Sequence, residues 1–240
     1  MPSAEIRLFL FPHAGGGPAV FGKWPAEFPD NVEIWIARYP GRGSQHDESP
    51  IKELNDLAER LSQDVQSLLD KPYAFFGHSM GGWVAFEMTR RLRKNDLPQP
   101  TTLFVSGCNA PHLPDPHPPI YRLPDPEFLD ALHALNGIPA ELMNLPEVIE
   151  WFLPALRADF EAVDTYVYNP NGSPLDRPII AFGGLNDTHV SRESIEGWVS
   201  HTDASFKSQY FPGDHFFINS AREAVIASIT SELTTAYAKD

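Results

Sequence analysis

The chain has 240 residues, with 18 Lys or Arg against 32 Asp or Glu, a formal charge of −14. That balance excludes a general nucleic-acid-binding surface, which needs a positive stripe against phosphate, and 42% hydrophobic and 12% aromatic residues exclude a disordered acidic tail. A single cysteine, Cys108, excludes an internal disulfide framework and a multi-thiolate zinc site and fits a reducing compartment.

The N-terminal residues pass straight into a short apolar run, without the basic stretch and long apolar segment of a signal peptide. No uncharged apolar run approaches the roughly 18 residues of a membrane span. A soluble, cytoplasmic protein is therefore expected. Short β-rich runs are predicted at 6–11, 32–37, 73–76, 102–106, 179–182 and 206–211. Between the second and third, Ile51, Leu54, Leu57, Ala58, Leu61, Val65, Leu68 and Leu69 recur at helical spacing, which predicts an amphipathic crossover helix. Further helices are predicted at 80–94, 191–200 and 219–237. Strands alternating with helices give an α/β fold: a mostly parallel central sheet flanked by helices.

The alternation breaks between residues 109 and 176. Proline makes up 24 of the 240 residues, about twice the usual ~5%, and is dense from Pro98 to Pro126, so that stretch is neither helix interior nor central strand. Two helical segments follow, at 126–135 and 146–166. We expect one domain spanning 1–240, with 109–176 inserted into it as a helical lid; a packing subdomain without a substrate role is the alternative.

Gly77-His78-Ser79-Met80-Gly81 matches G-x-S-x-G, after the apolar run 73–76 and before the helical stretch from Met80. A strand that turns sharply into a helix around a strained serine needs small flanking residues. Gly77, Gly81 and Gly82 supply them. The turn lifts the Ser79 hydroxyl to the carboxyl edge of the sheet, so Ser79 is the candidate nucleophile, and His78 is read as local packing.

A serine hydroxyl needs an imidazole to take its proton and a carboxylate to hold that imidazole. In the α/β-hydrolase order both follow the serine, on loops after later strands. The loop after 102–106 carries no carboxylate. The strand 179–182 runs into Gly183-Gly184-Leu185-Asn186-Asp187, making Asp187 the candidate acid, with a helix N-cap as its competing role. Asp164 and Asp176 precede that strand. After 206–211 comes Pro212-Gly213-Asp214-His215, and His215 is the candidate base. His189 lies too close to Asp187 in the chain, and His112, His117 and His133 belong to the insertion. No grouping has metal-ligand spacing. One oxyanion donor should be the backbone N–H of Met80, and the other should come from the glycine-rich loop 11–17. That loop lacks the G-x-x-x-x-G-K-[ST] pattern of a phosphate cradle.

Phe-Pro-His-Ala-Gly-Gly at 11–16, Tyr-Pro-Gly-Arg-Gly at 39–43, Gly-His-Ser-Met-Gly-Gly at 77–82, Gly-Gly-Leu-Asn-Asp at 183–187 and His215-Phe216-Phe217 occur in order along nearly the whole chain. Together they resemble the type II thioesterases that accompany nonribosomal peptide and polyketide synthases. The segment from Leu156 through Tyr166 resembles that family's lid. The resemblance implies a Ser79, Asp187 and His215 triad, with the Ala14 and Met80 amides as the oxyanion hole. It implies hydrolysis of acyl thioesters on the phosphopantetheine arm of carrier domains, clearing stalled or misprimed groups, without a cofactor or metal in the enzyme. Carrier domains are the implied partners, and a monomer is expected. One departure is Asp214 before His215, where the family often has a small residue. A small-molecule carboxylesterase or a chain-releasing acyl-carrier thioesterase would use the same triad; a fold used only for binding would not need it. Arg90, Arg91, Arg93 and Lys94 form the one dense basic cluster, read as a solvated helix end suited to the helix dipole rather than as a carrier-docking patch.

Overall fold

The computed structural model describes residues 4–135 and 146–237. Six strands form one parallel sheet: β1 (Ile6–Phe11), β2 (Val32–Ile36), β3 (Tyr73–His78), β4 (Thr102–Ser106), β5 (Ile179–Gly184) and β6 (Phe206–Phe211), in the order β2-β1-β3-β4-β5-β6. β1, β3 and β4 are buried along their whole length, which is why they read as continuous apolar runs; a parallel sheet is covered on both faces. The period of two then divides each run. Phe9, Phe11, Phe75, Leu103 and Val105 join one core with Leu57 and Leu61 of α1 (Leu54–Asp64) and Val84 and Met88 of α2 (Met80–Lys94). Leu8, Leu10, Phe76, Phe104 and Phe182 join the other, with Trp24 and the inner face of the C-terminal helix, Val225, Ile226, Ile229 and Leu233.

β1 lies between β2 and β3, so successive connections leave it on opposite sides. A crevice opens outside the carboxyl ends of the strands at such a reversal. The loops after β1 and β3, which carry Ala14 and Ser79, both leave the sheet there.

Among the described residues, two helices lie between β4 and β5: α3 (Asp125–Ala134) and α4 (Pro146–Asp164). Phe128, Leu132 and Leu156 form a third apolar cluster with Leu123, Phe152 and Phe160. Pro154 lies inside α4 and has no N–H for the carbonyl one turn earlier, which favours a bend. α5 (Arg192–Glu196), α6 (Phe217–Ser220) and α7 (Arg222–Tyr237) complete the chain.

Three predicted helices are shorter or more broken than their apolar spacing suggests. The segment 51–69 is α1 followed by a 3-10 turn at Gln66–Leu68, so Leu68 and Leu69 reach the core from a tighter turn. The segment 191–200 is α5 continued as a 3-10 turn at Gly197–His201. The segment 219–237 starts earlier, with α6, and is interrupted at Ala221 before α7. Apolar periodicity reports which side chains are buried, and a tightened turn buries them as well as an α-helix does.

Candidate active site

Ser79 is the residue between β3 and α2, at φ 55° and ψ −124°. Its N–H donates to the Ser106 carbonyl at 2.7 Å, which fixes the elbow against β4. The flanking glycines are required by close approach. A Cβ on Gly77 would strike the Gly81 carbonyl, and one on Gly81 would strike the backbone of Phe11 and Pro12. The same crowding brings the loop after β1 against the start of α2, so Ala14 and Met80 line one cavity with Ser79.

Asp187 and His215 come from the two loops after β5 and β6. The Leu185 N–H donates to the Phe211 carbonyl at 2.8 Å, and the Asn186 N–H to the Gly213 carbonyl at 2.9 Å. A Cβ on Gly184 would strike the backbone of Gly213 and Asp214, so the glycine before the acid lets the second loop cross over it. The result is a 2.9 Å contact between His215 Nδ1 and Asp187 Oδ2, with the Asp187 side chain only 1% exposed. Asp187 Oδ1 accepts the N–H groups of His189 at 2.8 Å and Val190 at 3.1 Å. Burial works to raise this carboxyl, but the His215 hydrogen bond and charge and the two amides outweigh it and hold it below the usual range. The competing cap role belongs to another residue: Ser191 caps α5, its Oγ accepting the Ser194 N–H at 3.1 Å.

His215 also lines the cavity that Ser79 lines, together with His13 and Phe216. The cavity holds about 330 Å³, and α3 and α4 give part of its apolar wall, Leu132, Leu156, Phe160 and Val163, alongside Met80 and Trp83 of α2 and the loop residues Ile120, Val190 and Phe216. His78 is packing, as expected, but it is a buried ring beneath the site. It is fully buried, its Nδ1 is 3.0 Å from Ser106 Oγ, and its ring is 5.3 Å from that of His215. Burial, with His215 and His13 nearby, holds it well below the ordinary histidine value. Asp214 accepts the Phe216 N–H through Oδ1 at 2.9 Å, so it shapes the turn that carries His215.

The basic cluster does end α2, with Arg91, Arg93 and Lys94 in its last turn, but its arginines are also held by partners within the chain. Arg90 donates to Glu87 and to the carbonyls of Asn169 and Asn171, Arg93 to the carbonyls of Ser173 and Pro174, and Arg91 to Glu59 and the Asn55 carbonyl. These arginines clamp the chain returning from α4 and hold α1 to α2. Only Lys94 of the four is exposed.

One feature of the site went unread in the sequence. Arg42 and Asp159 form a buried two-pronged ion pair, Nη1 to Oδ2 at 2.5 Å and Nη2 to Oδ1 at 2.6 Å, with side chains 7% and 2% exposed. Burial opposes the Arg42 charge, yet Asp159 beside it holds its pKa above the usual value. Asp159 Oδ2 also accepts the Gly15 N–H at 2.6 Å. The available signal was a lone carboxylate on the apolar face of α4, among Ala155, Leu156, Ala158 and Ala162. Such a charge needs a buried partner, and the only cation in a glycine-rich motif was Arg42.

The thioesterase domain family matches residues 6–233. The gramicidin S biosynthesis protein GrsT of Aneurinibacillus migulanus is 38% identical over 231 residues, covering 96% of this chain and 90% of that protein. The structure of RedJ, a thioesterase from the prodiginine pathway of Streptomyces coelicolor, superposes with a TM-score of 0.89 at 34% identity, covering 96% of this chain and 87% of that one. YbtT, a type II thioesterase from the yersiniabactin NRPS/PKS pathway, does so with a TM-score of 0.89 at 30% identity, covering 98% and 96%. The chain thus belongs to the thioesterase family on an α/β-hydrolase fold, is a thioester hydrolase, and groups with the type II thioesterases of nonribosomal peptide and polyketide pathways.

Proposed function

We propose that Ser79 is the nucleophile, His215 the general base and Asp187 its orienting carboxylate, and that the enzyme clears acyl groups from the phosphopantetheine arm of carrier domains. The observation that carries the triad is the 2.9 Å contact of Asp187 with His215 Nδ1 in a cavity that Ser79 also lines. Asp187 fixes the imidazole with Nε2 free to take the serine proton. Ser79 Oγ attacks the thioester carbonyl, and the oxygen that becomes negative is met by the amides of Ala14 and Met80. Met80 is the first residue of α2, so its N–H has no intrahelical acceptor and lies at the positive end of the helix dipole. The arm's thiol leaves with the proton from His215. Water, activated by the same imidazole, then releases the acid and restores Ser79.

The carrier-bound substrate is supported by relatives that are named for such pathways. We read residues 109–176 as the lid of a single domain, supported by the separate apolar cluster of α3 and α4 and by their share of the cavity wall. We read the enzyme as a cytoplasmic monomer; among the described residues no helix is long and apolar enough to cross a membrane. The test compares kcat/KM on an acylated carrier domain, the matching acyl-CoA and an ethyl ester of the same acid. The carrier substrate is expected to be turned over fastest. An ethyl ester turned over far faster than any acylated carrier domain would overturn the carrier assignment in favour of a carboxylesterase.

A further inference from the structure

Asp159 lies on α4, yet its carboxylate holds a loop that belongs to the sheet. Its Oδ2 accepts both the Gly15 N–H at 2.6 Å and Arg42 Nη1 at 2.5 Å, and Arg42 Nη1 also donates to the Gly16 carbonyl at 3.1 Å. Gly15 has φ 74°, and a Cβ there would collide with Leu156 of the same helix. The loop following β1 is therefore gripped from α4 by one carboxylate and one leucine, immediately after Ala14. Tyr39 completes the arrangement: its hydroxyl donates to the Pro12 carbonyl at 3.0 Å, and its ring lies 5.3 Å from the Arg42 guanidinium.

We propose that Asp159 is a positioning residue for the oxyanion hole: it fixes the 13–16 loop so that the Ala14 amide faces the reacting carbonyl, and it does so only while α4 is seated. α4 also contributes Leu156, Phe160 and Val163 to the cavity wall, so filling the cavity with an acyl chain and setting the oxyanion donor are coupled through one helix. This rests on the proposed roles of Ser79 and Ala14. An acyl group that does not seat α4 would be bound but hydrolysed slowly.

Asp159→Asn strands the buried Arg42 charge and can fail to fold. The informative variant is Arg42→Met with Asp159→Leu, which removes both charges, keeps the volume and leaves the Gly15 N–H without its acceptor. The probes are octanoyl-pantetheine and octylboronic acid, whose tetrahedral serine adduct places an oxygen in the oxyanion hole. The double variant is expected to melt near the parent and keep KM within about threefold, with kcat lower on the order of 10²-fold and boronate affinity lower by a similar factor. A folded double variant with kcat within threefold of the parent would overturn the proposal. So would a lower kcat with unchanged boronate affinity. Ser79→Ala serves as the separate control: full turnover there removes the underlying triad assignment whatever Asp159 does.

Discussion

Ser79 occupies a backbone region that L-residues rarely adopt, and the cost of that conformation is met by glycines that let three segments meet behind it. His13 and His78 pack beside the site, and His201, which does not line the cavity, packs against Phe86, Trp198 and His112. His78 is fully buried and His201 is 4% exposed; burial first, and then neighbouring His112 and Arg90, lower His201 to about 4. His13 is lowered in the same direction, again chiefly by burial. Unfolded, each of these rings would take up a proton near pH 6.5. The unfolded state therefore binds more protons than the native state between the two values, and native stability rises with pH across that window. The unfolding free energy from urea titration is expected to fall as pH drops from 6.5 towards 4, at about 1.4 kcal/mol per pH unit for each proton taken up. His201→Gln should flatten that slope. An equal slope in the variant would mean that His201 does not contribute to it.

At the scale of elements, the proposed lid role of α3 and α4 predicts that they select what the cavity accepts. Ala131 of α3 lines it beside Leu132 and Leu135, and a larger side chain there would occupy the space of several methylenes. Ala131→Phe is expected to lower kcat/KM for an octanoyl thioester by at least about tenfold while leaving an acetyl thioester within about twofold. Equal losses for both chains would contradict an acyl-binding wall. This part of the molecule was also the least legible in the sequence. The inner strands β1, β3, β4 and β5 were legible because they are apolar and buried almost throughout, the edge strands β2 and β6 because turn residues bound them, and the approach of Asp187 to His215 because each follows a parallel strand at the sheet edge that carries Ser79. Arg42 and Asp159 were not legible as a pair, because 117 residues separate them and no local pattern couples a charge on a helix to one on a distant loop. The partners of the α2 arginines are hidden in the sequence for a related reason: the carbonyls at 169–174 that they hold lie about 80 residues further along the chain.

For the whole molecule, the −14 charge now has a sharper meaning. Three of the four residues in the basic cluster of α2 make bonds within the chain, so the proposed recognition of a carrier domain rests on local shape and apolar contact rather than on that cluster. What unites the sheet, the crossing loops and the inserted helices is a single cavity in which a serine, a histidine and two loops converge. The most direct measurement is single-turnover release of octanoate from an octanoyl-loaded carrier domain by the parent enzyme and by Ser79→Ala, followed by mass spectrometry of the carrier. The parent is expected to return the free thiol while Ser79→Ala is slower on the order of 10⁶-fold; release at the parent rate by Ser79→Ala would contradict the assignment of Ser79 as the nucleophile.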